Sequence, residues 1–173
     1  MLLKPPGYRP GRAYPTIVYV HGGPVGQDGF EFDVISQALA ARGYLVVNPN
    51  YRGSSGRGSA FSRAIYADWG NLEIQDIHAV VDKLVEDGFS DPDRLGIGGW
   101  SYGGINTNYA IAKDTRFAAA FSGAGAANYL AGYGTDQYIW QYENELGRPW
   151  ESVDTYLRIS YPFLHADRIE TPT

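Results

Sequence analysis

Four short apolar runs, each stopping at a glycine or proline turn, constrain the fold more than anything else in this chain. "YPTIVYV" (14–20) runs into His21-Gly22-Gly23-Pro24, "YLVVNPN" (44–50) into "YRGSSGRG", "RLGIGGW" (94–100) into Ser101, and "FAAAFSG" (117–123) comes last. Such runs read as strands buried in a sheet. Between them lie helical spacings: Phe32, Ile35 and Leu39 within 31–42, closed by Gly43; Ile74, Ile77, Val81 and Leu84 within about 72–87, closed by Gly88; and a stretch from about 103 to 112. Asp91-Pro92 reads as a turn. Strands alternating with helices predict βαβ units, an α/β fold with a mostly parallel sheet and helices on both faces. The tyrosine-rich residues 128–165 read as short helices and loops over the top of the sheet. Residues 1–13 read as a linker or the remnant of an upstream region.

The chain has 173 residues, 44% of them hydrophobic, enough for the core of one domain. A net charge of -5 and the lack of a long Lys/Arg run argue against nucleic acid or anionic lipid as partner and leave a small molecule or a peptide. There are no cysteines, and the three histidines at 21, 78 and 165 form no short metal-ligand pattern, so neither a metal nor a cofactor is expected. Prolines interrupt the N-terminal stretch where a signal peptide needs an apolar core, and no later run is long enough to span a bilayer. The expectation is a soluble, cytoplasmic chain.

Gly99-Trp100-Ser101-Tyr102-Gly103 fits Gly-x-Ser-x-Gly, in which a serine sits on a sharp strand-to-helix turn with its hydroxyl above the sheet. A Cβ at either flanking glycine would crowd that turn. A serine nucleophile needs two N–H donors for the oxyanion it creates. The usual sources are the residue after the serine and a glycine-rich loop after an earlier strand, here Tyr102 N–H and Gly23 N–H. His21 precedes the serine and has no acid beside it in sequence, so it reads as a hydrogen-bonded turn residue. Gly96-Ile97-Gly98 and Gly123-Ala124-Gly125 each supply half of a dinucleotide fingerprint, but the third glycine is Ser101 in one and Asn128 in the other, which excludes that reading.

Together "YPTIVYVHGGP", "GYLVVNPNYRGSSGRG", "DWGNLEIQDIHAVVDKL", "DPDRLGIGGWSYGG" and "ADRIETPT" make residues 14–173 resemble the catalytic domain of the prolyl oligopeptidase family of serine peptidases, in particular its acylaminoacyl-peptidase and dipeptidyl-peptidase branches. The resemblance implies a partial α/β-hydrolase fold over 14–173, Ser101 as nucleophile, Tyr102 and Gly23 as oxyanion donors, and a short peptide as substrate. Arg52, Asp68, Trp69, Gly70, Asp76 and His78 are expected to be structural; the aromatic residues from Tyr129 to Trp150 are expected to be core packing, with the lining of a pocket near the serine as the alternative.

One departure stands against the family pattern. In α/β-hydrolases the acid and then the histidine follow the serine, and in this family both follow strands beyond the "RIETPT" lead-in. His165, flanked by Asp136, Asp154 and Asp167, aligns with a connecting segment and is not expected to be the base. The β-propeller that normally precedes the domain has no counterpart either. The expectation is a fragment lacking the acid and base of the triad and its last strands, with an exposed sheet edge beside 117–123 that invites self-association. A carboxylesterase of the same fold and a non-catalytic binding module are the competing readings.

Overall fold

The computed structural model describes all residues, 1–173. The sheet has five strands, β1 (Leu2–Leu3), β2 (Tyr14–Val20), β3 (Leu45–Val47), β4 (Ser90–Trp100) and β5 (Ala119–Gly123), in the order β1-β3-β2-β4-β5. All neighbours are parallel except β1 and β3. Three helices connect the parallel strands: α1 (Val34–Ala41), α3 (Leu72–Glu86) and α4 (Tyr102–Lys113), with a single turn α2 (Ser59–Ser62) in the loop before α3. α5 (Tyr129–Gly132), α6 (Ile139–Leu146), α7 (Val153–Ile159) and α8 (Tyr161–Leu164) follow β5, the short helices expected of 128–165.

β4 lies inside the sheet between β2 and β5, covered on both faces: Leu95 to Gly99 are all buried, and three of those five residues are glycine. α3 buries Ile74, Ile77 and Val81, three of the four positions its spacing marks, and packs on β4 and α4. These side chains join Val18, Val20 and Ile97 of the strands in one hydrophobic cluster.

Four sequence expectations change. β2 is not buried on both faces: Tyr14, Thr16, Val18 and Val20 are buried, whereas Ile17 and Tyr19 are half-buried. α1 does not use Phe32, Ile35 and Leu39 as its core face. Asp33 caps it, accepting from Ser36 N at 2.6 Å, so Phe32 falls outside the helix, and the buried positions are Ser36 and Ala40, small enough to bring the helix close to β3. Phe32 and Ile35 stay 79% and 46% exposed. Asp91-Pro92 lies inside β4 as an irregularity, where the pairing with β2 shifts between Tyr14 and Thr16, and Asp91 turns back to accept from Asp93 N. Residues 1–13 are not merely a linker, since Leu2 and Leu3 pair antiparallel with Val47 and Val46. Two residues are too short a run to carry a period, and the free backbone edge of β3 recruits them.

β5 is the outermost strand on the other side, with Phe121 58% exposed. Its outer edge is partly covered: Ala120 N donates to Pro172 O at 2.8 Å, and Thr171 Oγ1 to Phe117 O at 3.0 Å. No helix is long and apolar enough to cross a membrane.

Candidate active site

β4 turns into α4 at one residue. Ser101 has φ 57° and ψ -121°, a conformation that L-residues rarely adopt, and it is exposed at the carboxyl end of β4. Its N–H donates to Gly123 O at 2.9 Å, and its carbonyl accepts from Ile105 N at 3.0 Å, so sheet and helix hold the turn from both sides. The flanking glycines are required by contact. A Cβ on Gly99 would stand 2.8 Å from Gly103 Cα, and one on Gly103 would stand 2.9 Å from the Val20 carbonyl carbon. The elbow is therefore pressed against the end of β2.

That same strand end carries the His21-Gly22-Gly23-Pro24 loop past the serine. A Cβ on Gly22 would lie 3.3 Å from Ser101 Cβ and 3.9 Å from its Oγ. Gly23, at φ 133°, lies in a conformation that favours glycine, and its N–H donates to no protein acceptor. Tyr102 is the first residue of α4, where backbone N–H groups have no carbonyl of their own helix to bond. Ser101, Tyr102 and Gly23, separated by up to 79 positions, thus border one cavity of about 280 Å³. Trp69, Ile105, Tyr129 and Tyr142 supply apolar wall, and Asp136 is the single charged residue among the lining groups.

Beneath the elbow lies a residue that the sequence did not reveal. Glu73 is fully buried and accepts from Gly70 N at 2.6 Å, Asn71 N at 3.1 Å and Tyr102 Oη at 2.9 Å. Burial pushes its carboxyl above the usual range, against the opposing pull of these donors. Tyr102 in turn lies 6.2 Å from Tyr51, which stacks on His21 at 4.5 Å and donates to the His21 carbonyl at 2.9 Å. One chain of contacts thereby ties the elbow to the glycine loop. In sequence, Glu73 is one acidic residue in the first turn of an amphipathic helix, where a solvated carboxylate is the ordinary outcome.

The other sequence candidates are placed plainly. Arg52 grips Asp76 through both Nε and Nη2 at 2.6–3.0 Å, and its backbone N–H adds a bond of 2.8 Å, a structural clamp between the loop after β3 and α3. Asp68 accepts from Asn71 and pairs with Arg158, again structural. Trp69 is more than framework, because it donates to Glu145 Oε1 at 2.6 Å and also walls the cavity. Tyr129 and Tyr142, for which the sequence favours core packing over lining a pocket near the serine, do both: they are buried and they line the cavity. The His21 ring nitrogens contact Ser54 Oγ at 2.9 Å and Gly22 O at 2.8 Å. His78 lies half-buried beside Phe117, and His165 packs on Tyr161. None of the three histidines lines the cavity. No group of three His, Cys, Asp or Glu side chains is placed to hold a metal ion.

The sequence profile of the prolyl oligopeptidase family matches residues 30–173. The chain belongs to the prolyl oligopeptidase family. Among curated relatives, an uncharacterized peptidase of Bacillus subtilis, YuxL, is 34% identical over 99% of this chain and 26% of its own length, and dipeptidyl-peptidase 5 of Porphyromonas gingivalis is 30% identical over the same shares. Among solved structures, acylaminoacyl peptidase from Pyrococcus horikoshii superposes with a TM-score of 0.87 at 32% identity, over 99% of this chain and 28% of that one. A puromycin-hydrolyzing peptidase from Mycobacterium tuberculosis gives 0.86 at 33%, over 99% and 27%. The sheet and its helices are those of the α/β-hydrolase fold that this peptidase family uses, and the chain spans about a quarter of the length of the relatives it matches.

Proposed function

We propose that this chain carries the nucleophile and oxyanion hole of a serine peptidase acting on short peptides. The observation that supports this reading most is the position of Ser101, held at an unfavourable backbone conformation on the rim of a cavity that Gly23 and Tyr102 share. Ser101 Oγ attacks the scissile carbonyl carbon and the carbonyl oxygen gains negative charge. Tyr102 N–H and Gly23 N–H donate to that oxygen. As the tetrahedral species collapses the C–N bond breaks, the Ser101 proton passes through a general base to the departing amine, and an acyl-serine remains for water to cleave.

The histidine base and its acid partner are proposed to lie outside these 173 residues, because none of His21, His78 and His165 lines the cavity beside Ser101. The chain by itself then retains only what binding and the oxyanion hole provide, on the order of 10³-fold over water for a serine protease stripped of its triad. The test is hydrolysis of p-nitrophenyl acetate by the chain, with intact-mass analysis for an acetyl adduct. Slow hydrolysis that Ser101→Ala abolishes supports the assignment, and hydrolysis surviving that substitution overturns it. In a longer product carrying the acid and histidine, cleavage of peptide amides separates a peptidase from an esterase limited to esters.

A further inference from the structure

Glu73 is the only carboxylate among the fully buried residues, and the chemistry proposed for Ser101 makes no use of it. Burying a carboxylate is costly unless hydrogen bonds offset the lost water. Its three side-chain bonds all go to segments that border the serine. Oε1 accepts from Gly70 N at 2.6 Å and from Tyr102 Oη at 2.9 Å, and Oε2 accepts from Asn71 N at 3.1 Å. Gly70 follows Trp69, a wall of the cavity, and Tyr102 follows Ser101.

What the Tyr102 hydroxyl anchors is a strained joint. The Tyr102 N–H lies in a rigid peptide plane whose direction is set by the Ser101 ψ of -121°, paired with a φ of 57°. A sparsely populated conformation persists only where its surroundings over-determine it. The Tyr102 side chain supplies one such hold: its ring lies 6.2 Å from that of Tyr51 and edge-on to that of Trp69 at 6.0 Å, and its hydroxyl has Glu73 as its one protein partner. A ring fixed at its far end and leaving the same Cα as the N–H keeps that plane from relaxing. We propose that Glu73 is a positioning residue of the oxyanion hole, tying the Tyr102 hydroxyl and the Gly70 and Asn71 amides to one carboxylate so that the Tyr102 N–H and Trp69 keep a single placement about Ser101. The catalytic meaning of this placement rests on the reading of Ser101 as nucleophile and Tyr102 N–H as oxyanion donor.

Tyr102→Phe carries the test, because it removes one oxygen and leaves Glu73 its two amides; Glu73→Gln, which keeps one acceptor oxygen for three donors, accompanies it. Ile77→Val, a core change on the same helix, controls for lost stability alone. All are compared where near-UV circular dichroism shows each chain folded. The first readout is 15N relaxation of the backbone amides at 69 and 102, which does not depend on Ser101 reacting. The order parameter at 102 should fall from about 0.85 toward 0.6 in both variants, and that at 69 should fall in Glu73→Gln. The second is acetylation of Ser101 by p-nitrophenyl acetate. Losing an oxyanion donor outright costs about 100-fold or more, so a displaced one should lower kcat about tenfold with KM unchanged. Ile77→Val should move neither readout. A residue-102 amide as rigid in Tyr102→Phe as in the unsubstituted chain overturns the proposal, as does an equal loss of kcat in Ile77→Val. No acetyl adduct on the unsubstituted chain overturns the reading of Ser101 instead, while the relaxation data still decide whether Glu73 holds the amides.

Discussion

Gly103→Ala sets two physical effects against each other, and the structure says which wins. Gly103 sits in the first turn of α4, where alanine is the better helix former by about 1 kcal/mol, so propensity alone expects a more stable protein. The contacts oppose this. The new methyl would stand 2.9 Å from the Val20 carbonyl carbon and 3.1 Å from the His21 oxygen, and closer still to the Val20 oxygen, where carbon atoms settle at about 3.5–4.0 Å. All of these partners are backbone at the end of a central strand and have no rotamer with which to move aside. Overpacking of this kind costs about 3 kcal/mol at the upper end of the usual range, which leaves a net loss of about 2 kcal/mol. With a urea slope near 2 kcal/mol/M for a domain of this size, the unfolding midpoint should fall by about 1 M at unchanged slope. A midpoint equal to that of the unsubstituted chain, or higher, would refute the claim that the elbow is pressed against β2.

Three further outcomes follow from the same geometry. Ser101→Gly should remove the backbone strain at the elbow and, after the added freedom of the unfolded chain, raise stability by about 1 kcal/mol in urea melts while ending acylation by activated esters. Glu73 holds its proton more tightly folded than unfolded, so its contribution is fully present below its ordinary value of 4.5 and fades as pH rises through the higher folded value. Melts across that range should give a flatter profile for Glu73→Gln. His78 runs the other way. Burial first and Arg116 second hold its pKa below the ordinary 6.5, so its contribution is present above that value and is lost as pH falls through the lower folded value; His78→Leu should lose less stability than the unsubstituted chain between pH 7 and pH 5.

How much of the site was legible in sequence differs residue by residue. Ser101 stands out because an elbow demands glycines two residues to either side, a local requirement written in adjacent letters. The Gly22–Gly23 loop is visible for the same reason, as a turn that must follow a buried strand. Glu73 is not visible, because what makes it exceptional is the Tyr102 hydroxyl above it and the Gly70 and Asn71 amides beside it, and the Tyr102 contact spans 29 positions. Phe32 and Ile35 mislead by spacing alone, since Asp33 starts the helix later than the apolar pattern suggests and the sheet accepts its small residues instead. The cavity is invisible until α5 and α6 fold over the elbow and turn one side of Tyr129 and Tyr142 toward it.

The sequence by itself determined the alternation of strand and helix, the parallel sheet, and the turn on which Ser101 stands, because each follows from forces acting within a few residues: burial of apolar runs, the backbone freedom of glycine, helix capping. Tertiary structure alone decided what surrounds the serine. It kept the histidines off the cavity, clamped Arg52 to Asp76, buried Glu73, and set Asp136 beside Tyr138 and Tyr142 at the cavity. These outcomes depend on distances between segments far apart in the chain, which sheet order and helix packing set and no local pattern encodes.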